Sequence, residues 1–542
     1  MSLNFLIFFA YYLVILISII GYGYILLSFE KINKNFLNLG YVGLIGIFFL
    51  IIYSYLSNLL IPHSKIHNIV FIIMGFFSFF YFFQKYSENF FFKKDLILLF
   101  VVFLFLFISI LMKKNHDDFL YYHFPYTFHL TQDSFTLGIG KLNHGFRTPS
   151  SIFYLNSLFY LPFAEYYLFN FSAIYILGFA NILLLKKIFN LNENNKKSNH
   201  SITFINYLCL LSFVFINIFF YRISEHGTDR SAQILIFILF VYLLDKFQNK
   251  DYKNVDLLFL YILIGLIITF KSFYFLYLIF SVPFFIFILE NEKNLQSTFK
   301  KIFLNKYFLY LIISVFFVLM TNFNNTGCLL YPIYFSCFEN IQWALPIESV
   351  IKMNNWYELW SKAGANPNFR VENPEEYIAS FNWVYNWIDK YFFNKISDFI
   401  IGLTLLIIVF YGAFFSFKKN RVNIKISKAF LLTYWILILI LFEWFYNHPA
   451  LRYGGYCVIA LIIFVPYSLY LQKTNIASKK YNKIALILVL VSIFTFETRN
   501  YFRIIKEVNL YDYKPLSETF YTIDEKYFRM QKTIDDLKNN NE

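Results

Sequence analysis

The densest grouping of acids and bases in the first half of the chain is KKNHDDFLYYHFPYTFHLTQDSFTLGIGKLNHGFRTPSS, residues 113–151. Asp117 and Asp118 are adjacent, and Tyr122 and His123 follow one turn later, so a short helix would place them on the face that carries Asp118. Neighbouring carboxylates compete for ionisation, so one can hold its proton to higher pH while the other stays charged, which suits general-base work or cation binding. The competing reading is a solvated loop that caps a helix. A second acidic group lies in RISEHGTDR, residues 222–230, where Glu225, His226 and Asp229 stand between Arg222 and Arg230. The planar guanidinium fork suits phosphate oxygens, and Asp229 could orient a hydroxyl or a metal-bound water. Alternatively, both arginines snorkel from helix ends and pair with Glu225 or Asp229. Lys271 in ITFKSFYF and Arg452 in NHPALRYGG add two more cations, and the four could ring one anion from different helices. A lipid phosphate suits that geometry, because its tail can lie between helices while its head group meets the cations.

The elements that must position these residues are apolar. Of 542 residues, 58% are hydrophobic, 23% aromatic and only 15% charged, with mean hydropathy +0.53. That leaves too few charges to cover a water-soluble globule, so lipid must cover the rest. The 75 Phe and 45 Tyr are equally expected of an AT-rich coding sequence and do not by themselves indicate an aromatic-binding site. Apolar windows lie near residues 3–28, 37–60, 69–85, 95–112, 168–187, 202–221, 231–246, 255–270, 273–289, 303–320, 398–417, 428–446, 453–471 and 483–499. The expected fold is therefore all-α: a polytopic transmembrane helix bundle of roughly 14 spans over residues 1–500, with the pair around Lys271 open to a re-entrant reading.

The formal charge of +14 would suggest nucleic acid in a soluble protein, but the cations fall in alternate short loops. These hold Lys31 and Lys34, Lys93 and Lys94, Lys186, Lys187, Lys196 and Lys197, Lys246, Lys250 and Lys253, then Lys293, Lys300, Lys301 and Lys306. Lys418, Lys419, Arg421, Lys425 and Lys428, and finally Lys473, Lys479, Lys480 and Lys483, continue the alternation. The positive-inside rule puts those loops in the cytoplasm. Residues 113–167, residues 321–397 and the tail 501–542 are then exterior, the tail as a short helix outside the membrane. No internal repeat, GxxxxGK[ST] loop or GxGxxG fingerprint occurs in the sequence, so the chemistry is expected on the outer side and no nucleic-acid partner is expected.

The segment 321–397 holds five of the seven tryptophans, Trp343, Trp356, Trp360, Trp383 and Trp387. Interfacial anchoring accounts for at least half of such residues, and one or two could instead stack on a sugar ring in an acceptor pocket. Cys328 and Cys337 share this segment and are spaced for a small closed disulfide loop, which leaves Cys209 and Cys457 as apolar fillers in the membrane.

Asp118, Tyr122, His123 and Pro125 match a spacing found just outside an early span of many bacterial members of the GT-C glycosyltransferase superfamily, which this chain resembles over roughly residues 95–460. GIGKLNHGFRTPSS, the GTD at Gly227 to Asp229 and the GCLLYP run are also similar to bacterial proteins of that group. The chain departs from the common pattern by placing three additional spans before the acidic loop. The resemblance implies an inverting glycosyltransferase of the bacterial inner membrane with its active site facing the periplasm. It would take a sugar from a polyprenyl-phosphate donor to a glycan, lipid or protein acceptor. Asp118 is then the expected base, with Asp117 and Asp229 orienting it or binding the acceptor. Lys271, Arg452, Arg222 and Arg230 would hold the donor phosphate, and Tyr122, His123, His144, Arg147 and His226 would touch substrate. Oxygen ligands of this kind suit Mg²⁺ or Mn²⁺, and the residues leave a divalent cation open. Two rivals remain: a polysaccharide polymerase or O-antigen-ligase-like enzyme, which needs exterior arginines rather than aspartates, and a lipid-linked sugar translocator, which needs ionisable residues along a path through the bilayer.

Overall fold

A bilayer interior offers no water to satisfy backbone polar groups, so a chain this apolar must close its hydrogen bonds within helices. The computed structural model of the protein does so. It describes residues 2–539 except 33–37, 87–89, 192–201, 226, 251, 366–370, 416–425, 475 and 522. Lys34, Lys196, Lys197, Lys418, Lys419, Arg421, Lys425 and His226 lie outside the described residues. Among the described residues no strand forms; the only β pairings are isolated bridges at Leu161–Glu165 and Cys328–Cys337.

The helices run in order as α1 (Leu3–Phe29), α2 (Leu39–Asn58), α3 (Lys65–Tyr86), α4 (Phe90–Leu106), α5 (Phe124–Gln132), α6 (Ser151–Ser157) and α7 (Phe171–Ile188). Next come α8 (Phe204–Phe219), α9 (Gly227–Asn249), α10 (Asn254–Phe270), α11 (Ser281–Glu292), α12 (Leu295–Phe303), α13 (Phe308–Thr326) and α14 (Ile347–Lys362). The chain ends with α15 (Pro374–Ile378), α16 (Val384–Trp387), α17 (Ser397–Phe414), α18 (Lys428–Asn447), α19 (Gly455–Gln472), α20 (Ser478–Tyr511) and α21 (Arg529–Asn539). Among the described residues eleven helical segments are long and apolar enough to cross a membrane, so the chain is a multi-pass membrane protein. Each of the fourteen apolar windows overlaps helical structure among the described residues. The count by length is lower because α4, α8 and α10 have only 17, 16 and 17 residues, short of the roughly 20 that a perpendicular span needs.

α7 is buried along its whole length and acts as the central post, with α2, α4, α8 and α9 packed on it. Small residues permit the closest crossings. A Cβ at Gly21 of α1 would lie 1.9 Å from the backbone oxygen of Gly75 in α3, so the two backbones touch where a larger side chain would part them.

The two ends of the bundle differ in charge. At one end lie the pairs Lys187–Asp245 at 2.7 Å, Lys246–Asp256 at 2.8 Å, Lys301–Glu292 at 2.6 Å, Lys186–Asp95 and Lys306–Glu30. Asp229, sixteen residues before Asp245 on α9, stands roughly 24 Å away at 1.5 Å per residue, at the other end. Around Lys271 the chain turns rather than continues: α10 stops at Phe270, Lys271 is extended, and a 3₁₀ turn from Ser272 to Phe280 leads into α11.

The segment after α4 enters a one-turn π-helix, Phe119–His123, then α5 and α6. The second large connection, between α13 and α17, carries α14 to α16, and in it Cys328 and Cys337 are disulfide-bonded. The last span differs from its expected end at residue 499: α20 continues to Tyr511, 34 residues in all. Its extension carries Arg503, which donates to the Leu111 carbonyl at 2.9 Å, and Glu507, which accepts from the Lys113 backbone N–H at 2.7 Å. Beyond it the tail lies across α5. Phe528 packs on Phe124, Tyr521 donates to the Tyr166 carbonyl at 2.6 Å, and Gln531 donates to Asp133 at 2.7 Å.

Candidate functional site

Four segments far apart in sequence meet at the end of the bundle opposite the lysine-rich loops. Asp229 sits in the first turn of α9, Lys271 follows the last residue of α10, Arg452 lies in the turn between α18 and α19, and Asp118 precedes the π-helical turn. The Lys271 ammonium contacts Asp229 Oδ1 at 2.6 Å. Arg452 spans both acids, with Nε 3.2 Å from Asp229 Oδ2 and Nη2 3.0 Å from Asp118 Oδ2. Two carboxylates and two cations balance in charge. They differ in access, since the Asp229 side chain is 9% exposed and that of Asp118 is 31% exposed.

Each member is held by its own surroundings. The turn that carries Arg452 is fixed by Trp444, whose indole N–H donates to the Ala450 carbonyl at 3.0 Å, and by Trp387, which donates to the Pro449 carbonyl at 2.9 Å. The Leu451 backbone N–H donates to the Tyr391 hydroxyl at 2.8 Å. Gly454, at φ +99°, then reverses the chain into α19, a conformation open to glycine and costly for other residues. Gln233 ties α9 to this turn: its amide donates to the Arg452 carbonyl at 3.0 Å and its oxygen accepts from the Cys457 N–H at 3.2 Å. Tyr274 donates to the Asp229 backbone carbonyl at 3.3 Å. The Asp118 N–H donates to His116 Nδ1 at 3.2 Å.

Aromatic rings line the cluster. The Lys271 ammonium lies 5.1 Å from the Tyr453 ring centre, and the Arg452 guanidinium lies 5.5 Å from Trp360 and 5.7 Å from Tyr453. Such faces stabilise cations without neutralising them. Tyr122 and His123 are within electrostatic reach of Asp118, Asp229 and Arg452. Burial pushes the His123 imidazole down to about 3, so it is neutral at physiological pH, and its buried Nε2 has no hydrogen-bond partner among the described residues.

Burial works against ionising Asp118, but the Arg452 guanidinium, with His116 beyond it, outweighs burial and holds the carboxyl below its ordinary value. The folded-state value thus lies under the unfolded one of about 3.9. Its contribution to stability is present above that pH and is lost as pH falls through the lower folded value. Arg452→Gln removes the main opposing charge and leaves burial, so the folded pKa of Asp118 rises toward or above its unfolded value and the variant should lose less stability than the parent as pH falls through the acid limb. An acid limb of unchanged size would separate Arg452 from the titration of Asp118.

The structure brings together Asp118, Asp229, Lys271, Arg452, Tyr122 and His123, with His144 at the edge. His144 is 3.4 Å from the Tyr121 hydroxyl and packs against Trp356; burial, with Arg147 near it, lowers its pKa. Asp117 stands apart and exposed, because successive residues of a helical turn point about 100° from one another and only Asp118 faces Arg452. Arg147 is used to join the two large connections, donating to the Gly140 carbonyl at 3.1 Å and the Tyr331 hydroxyl at 3.0 Å. The expected ring of four cations divides. Arg230, next to Asp229, is turned round α9 toward Phe220, and Arg222 is paired with Glu225. The anions that Lys271 and Arg452 meet are the chain's own carboxylates.

Gln233, Tyr274 and Tyr453 were not singled out by the sequence. Gln233 follows Asp229 by four residues, so a polar residue on the same face of an otherwise apolar helix was the available signal. Among the described residues no three His, Cys, Asp or Glu side chains are grouped to hold a metal ion. Asp118 and Asp229 are both engaged by Arg452, so this donor set does not suit a divalent cation.

The chain belongs to the family described as "Domain of unknown function (DUF8201)", which matches residues 5–459. That match includes all four members of the charged cluster and ends before α20 and the tail. No curated protein and no solved structure matches the chain.

Proposed function

We propose that the protein is an inverting glycosyltransferase. It moves a sugar from a polyprenyl-phosphate donor to a glycan, lipid or protein acceptor at the periplasmic face of the inner membrane. The observation that supports this reading best is the pairing of a partly exposed carboxylate, Asp118, through Arg452 to the buried Asp229–Lys271 pair at a rim of the helix bundle.

Asp118 is ionised and accessible, as a general base must be. It removes the proton from an acceptor hydroxyl as that oxygen attacks the anomeric carbon. The bond from that carbon to the donor phosphate breaks, and the phosphate leaves with the bonding electron pair. A single displacement inverts the anomeric centre. As Asp118 takes up the proton its hold on Arg452 weakens, just as negative charge grows on the leaving oxygen. Arg452 then turns its Nη2 hydrogen bond from Asp118 to phosphate, with Lys271 as the second positive charge. Asp229 keeps both cations in place throughout. Groups placed in advance where charge develops contribute most in a site shielded from water. The neutral, unpartnered Nε2 of His123 is a contact for a sugar or acceptor hydroxyl.

Mass spectrometry of cell-envelope glycans and lipid-linked sugars, with and without the chain, tests the reading. A glycan lost in the deletion, with its lipid-linked precursor accumulating, is expected. Identical profiles would sink it, and a precursor confined to the inner leaflet would favour a translocator.

A further inference from the structure

A second charged group occupies the same end of the bundle on another side, where the C-terminal end of α8 meets α9, α19 and α20. It contains Arg222, Arg230, Arg499 and Arg503, and among the described residues two carboxylates are paired with them, Glu225 and Glu507. Arg503 is fully used: Nη1 meets Glu507 Oε1 at 3.1 Å and Nη2 the Leu111 carbonyl at 2.9 Å. Arg222 meets both oxygens of Glu225, with Nε 2.8 Å from Oε1. Four arginines against two glutamates leave two positive charges, which fall to Arg230 and Arg499.

Among the described residues neither of these arginines has a carboxylate contact of its own. The Arg499 guanidinium lies 3.7 Å from the Tyr221 ring centre and donates to the Ile218 carbonyl at 2.7 Å. Arg230 lies 5.7 Å from the Phe220 ring centre, and its Nη1 is buried with no hydrogen-bond partner among the described residues. Aromatic faces offset about 0.5–2 kcal/mol per cation, whereas a buried charge without a counter-ion costs several. An anion is therefore needed at Arg230, whose Nη1 is the buried group, and the positive end of α9, which begins at Gly227, adds to the same field.

Depth and surroundings select the anion. The arginines sit at the ends of spans, where lipid head groups lie. Ile401 and Leu405 on α17, and Val491 and Phe494, eight and five residues before Arg499 on α20, are exposed apolar side chains of spans at this side of the bundle. We infer that Arg230 and Arg499, with Arg222 beside them, bind the phosphate of an anionic membrane lipid whose acyl chains lie on α17 and α20. The guanidinium fork matches phosphate oxygens. This site is separate from the Asp118–Arg452 cluster and holds whether or not the chain transfers sugars.

The full chain, purified in a maltoside detergent, is titrated with phosphatidylglycerol, with dioleoylglycerol, which has acyl chains and no phosphate, or with inorganic phosphate. Native mass spectrometry and thermal unfolding report binding. Phosphatidylglycerol should bind and raise Tm, dioleoylglycerol should do neither, and inorganic phosphate should compete only at far higher concentration. Arg230→Gln and Arg499→Gln should each weaken phosphatidylglycerol binding at least tenfold, whereas Lys506→Gln, exposed elsewhere on α20, should bind as the parent does. Arg499 is exposed, so its variant keeps the test decisive where Arg230→Gln fails to fold. Equal binding of dioleoylglycerol, or parental affinity in Arg499→Gln, would overturn the inference. Inorganic phosphate that matches the lipid at equal concentration would overturn the lipid as the source in favour of a free anion.

Discussion

Asp118→Asn should lower formation of the glycan product by about 10²- to 10⁴-fold, the usual contribution of a positioned base, while the chain stays folded and reaches the membrane at parental level. The exchange keeps size and shape and removes only the charge and the proton affinity. Asp118 is partly exposed and its partner Arg452 retains Asp229, so the structural cost is small. The measurement is mass spectrometry of lipid-linked sugars and envelope glycans in cells that carry the variant in place of the parent chain, with protein level checked in parallel. Accumulated donor with missing product is the expected result, and Asp117→Asn should leave both unchanged because Asp117 stands outside the cluster. Parental product from Asp118→Asn would remove the base from the mechanism.

Asp229→Asn should instead act on stability. Asp229 is the buried counter-charge for both Lys271 and Arg452, and its loss leaves two cations facing one partly exposed acid. Breaking a buried ion pair from one side costs about 3–5 kcal/mol, because the remaining charge is desolvated without compensation. Thermal unfolding in detergent, read by tryptophan fluorescence, should show a large fall in Tm for Asp229→Asn and little change for Asp118→Asn. Adding Lys271→Met should restore part of the loss, since the double change removes the orphaned charge as well. If the double variant is no more stable than the single one, Lys271 is not the residue that Asp229 neutralises. The two aspartates thus separate experimentally: one affects product with little effect on melting, the other melting first.

Much of this arrangement was legible in the residues. Alternating lysine-rich loops distinguished the two ends, and the pairs Lys187–Asp245, Lys186–Asp95 and Lys306–Glu30, which join different loops of that set, place those loops at one end of the bundle. Asp118, Asp229, Lys271 and Arg452 stood out because a charged side chain at a span end is costly enough to need a reason. Their pairing was not legible. Asp229 and Arg452 are 223 positions apart, and no local rule says that the turn after α18 lies over the first turn of α9. Nor could spacing separate Asp117 from Asp118, or Arg230 from Asp229. Each is a matter of rotation about a helix, settled by which neighbour lies on that side.

The tail shows the same division. Its mixed charges and short helix were readable, but the continuation of α20 to Tyr511 and the seating of Phe528 and Gln531 on α5 depend on contacts made across the fold. The sequence by itself determined the medium, the helical fold class and which charged residues stand at the ends of apolar segments, because hydration cost is a property of each side chain wherever it sits. Only the tertiary structure decided which charge answers which. That choice rests on distance and on shielding from water, and both arise when separate helices are packed side by side.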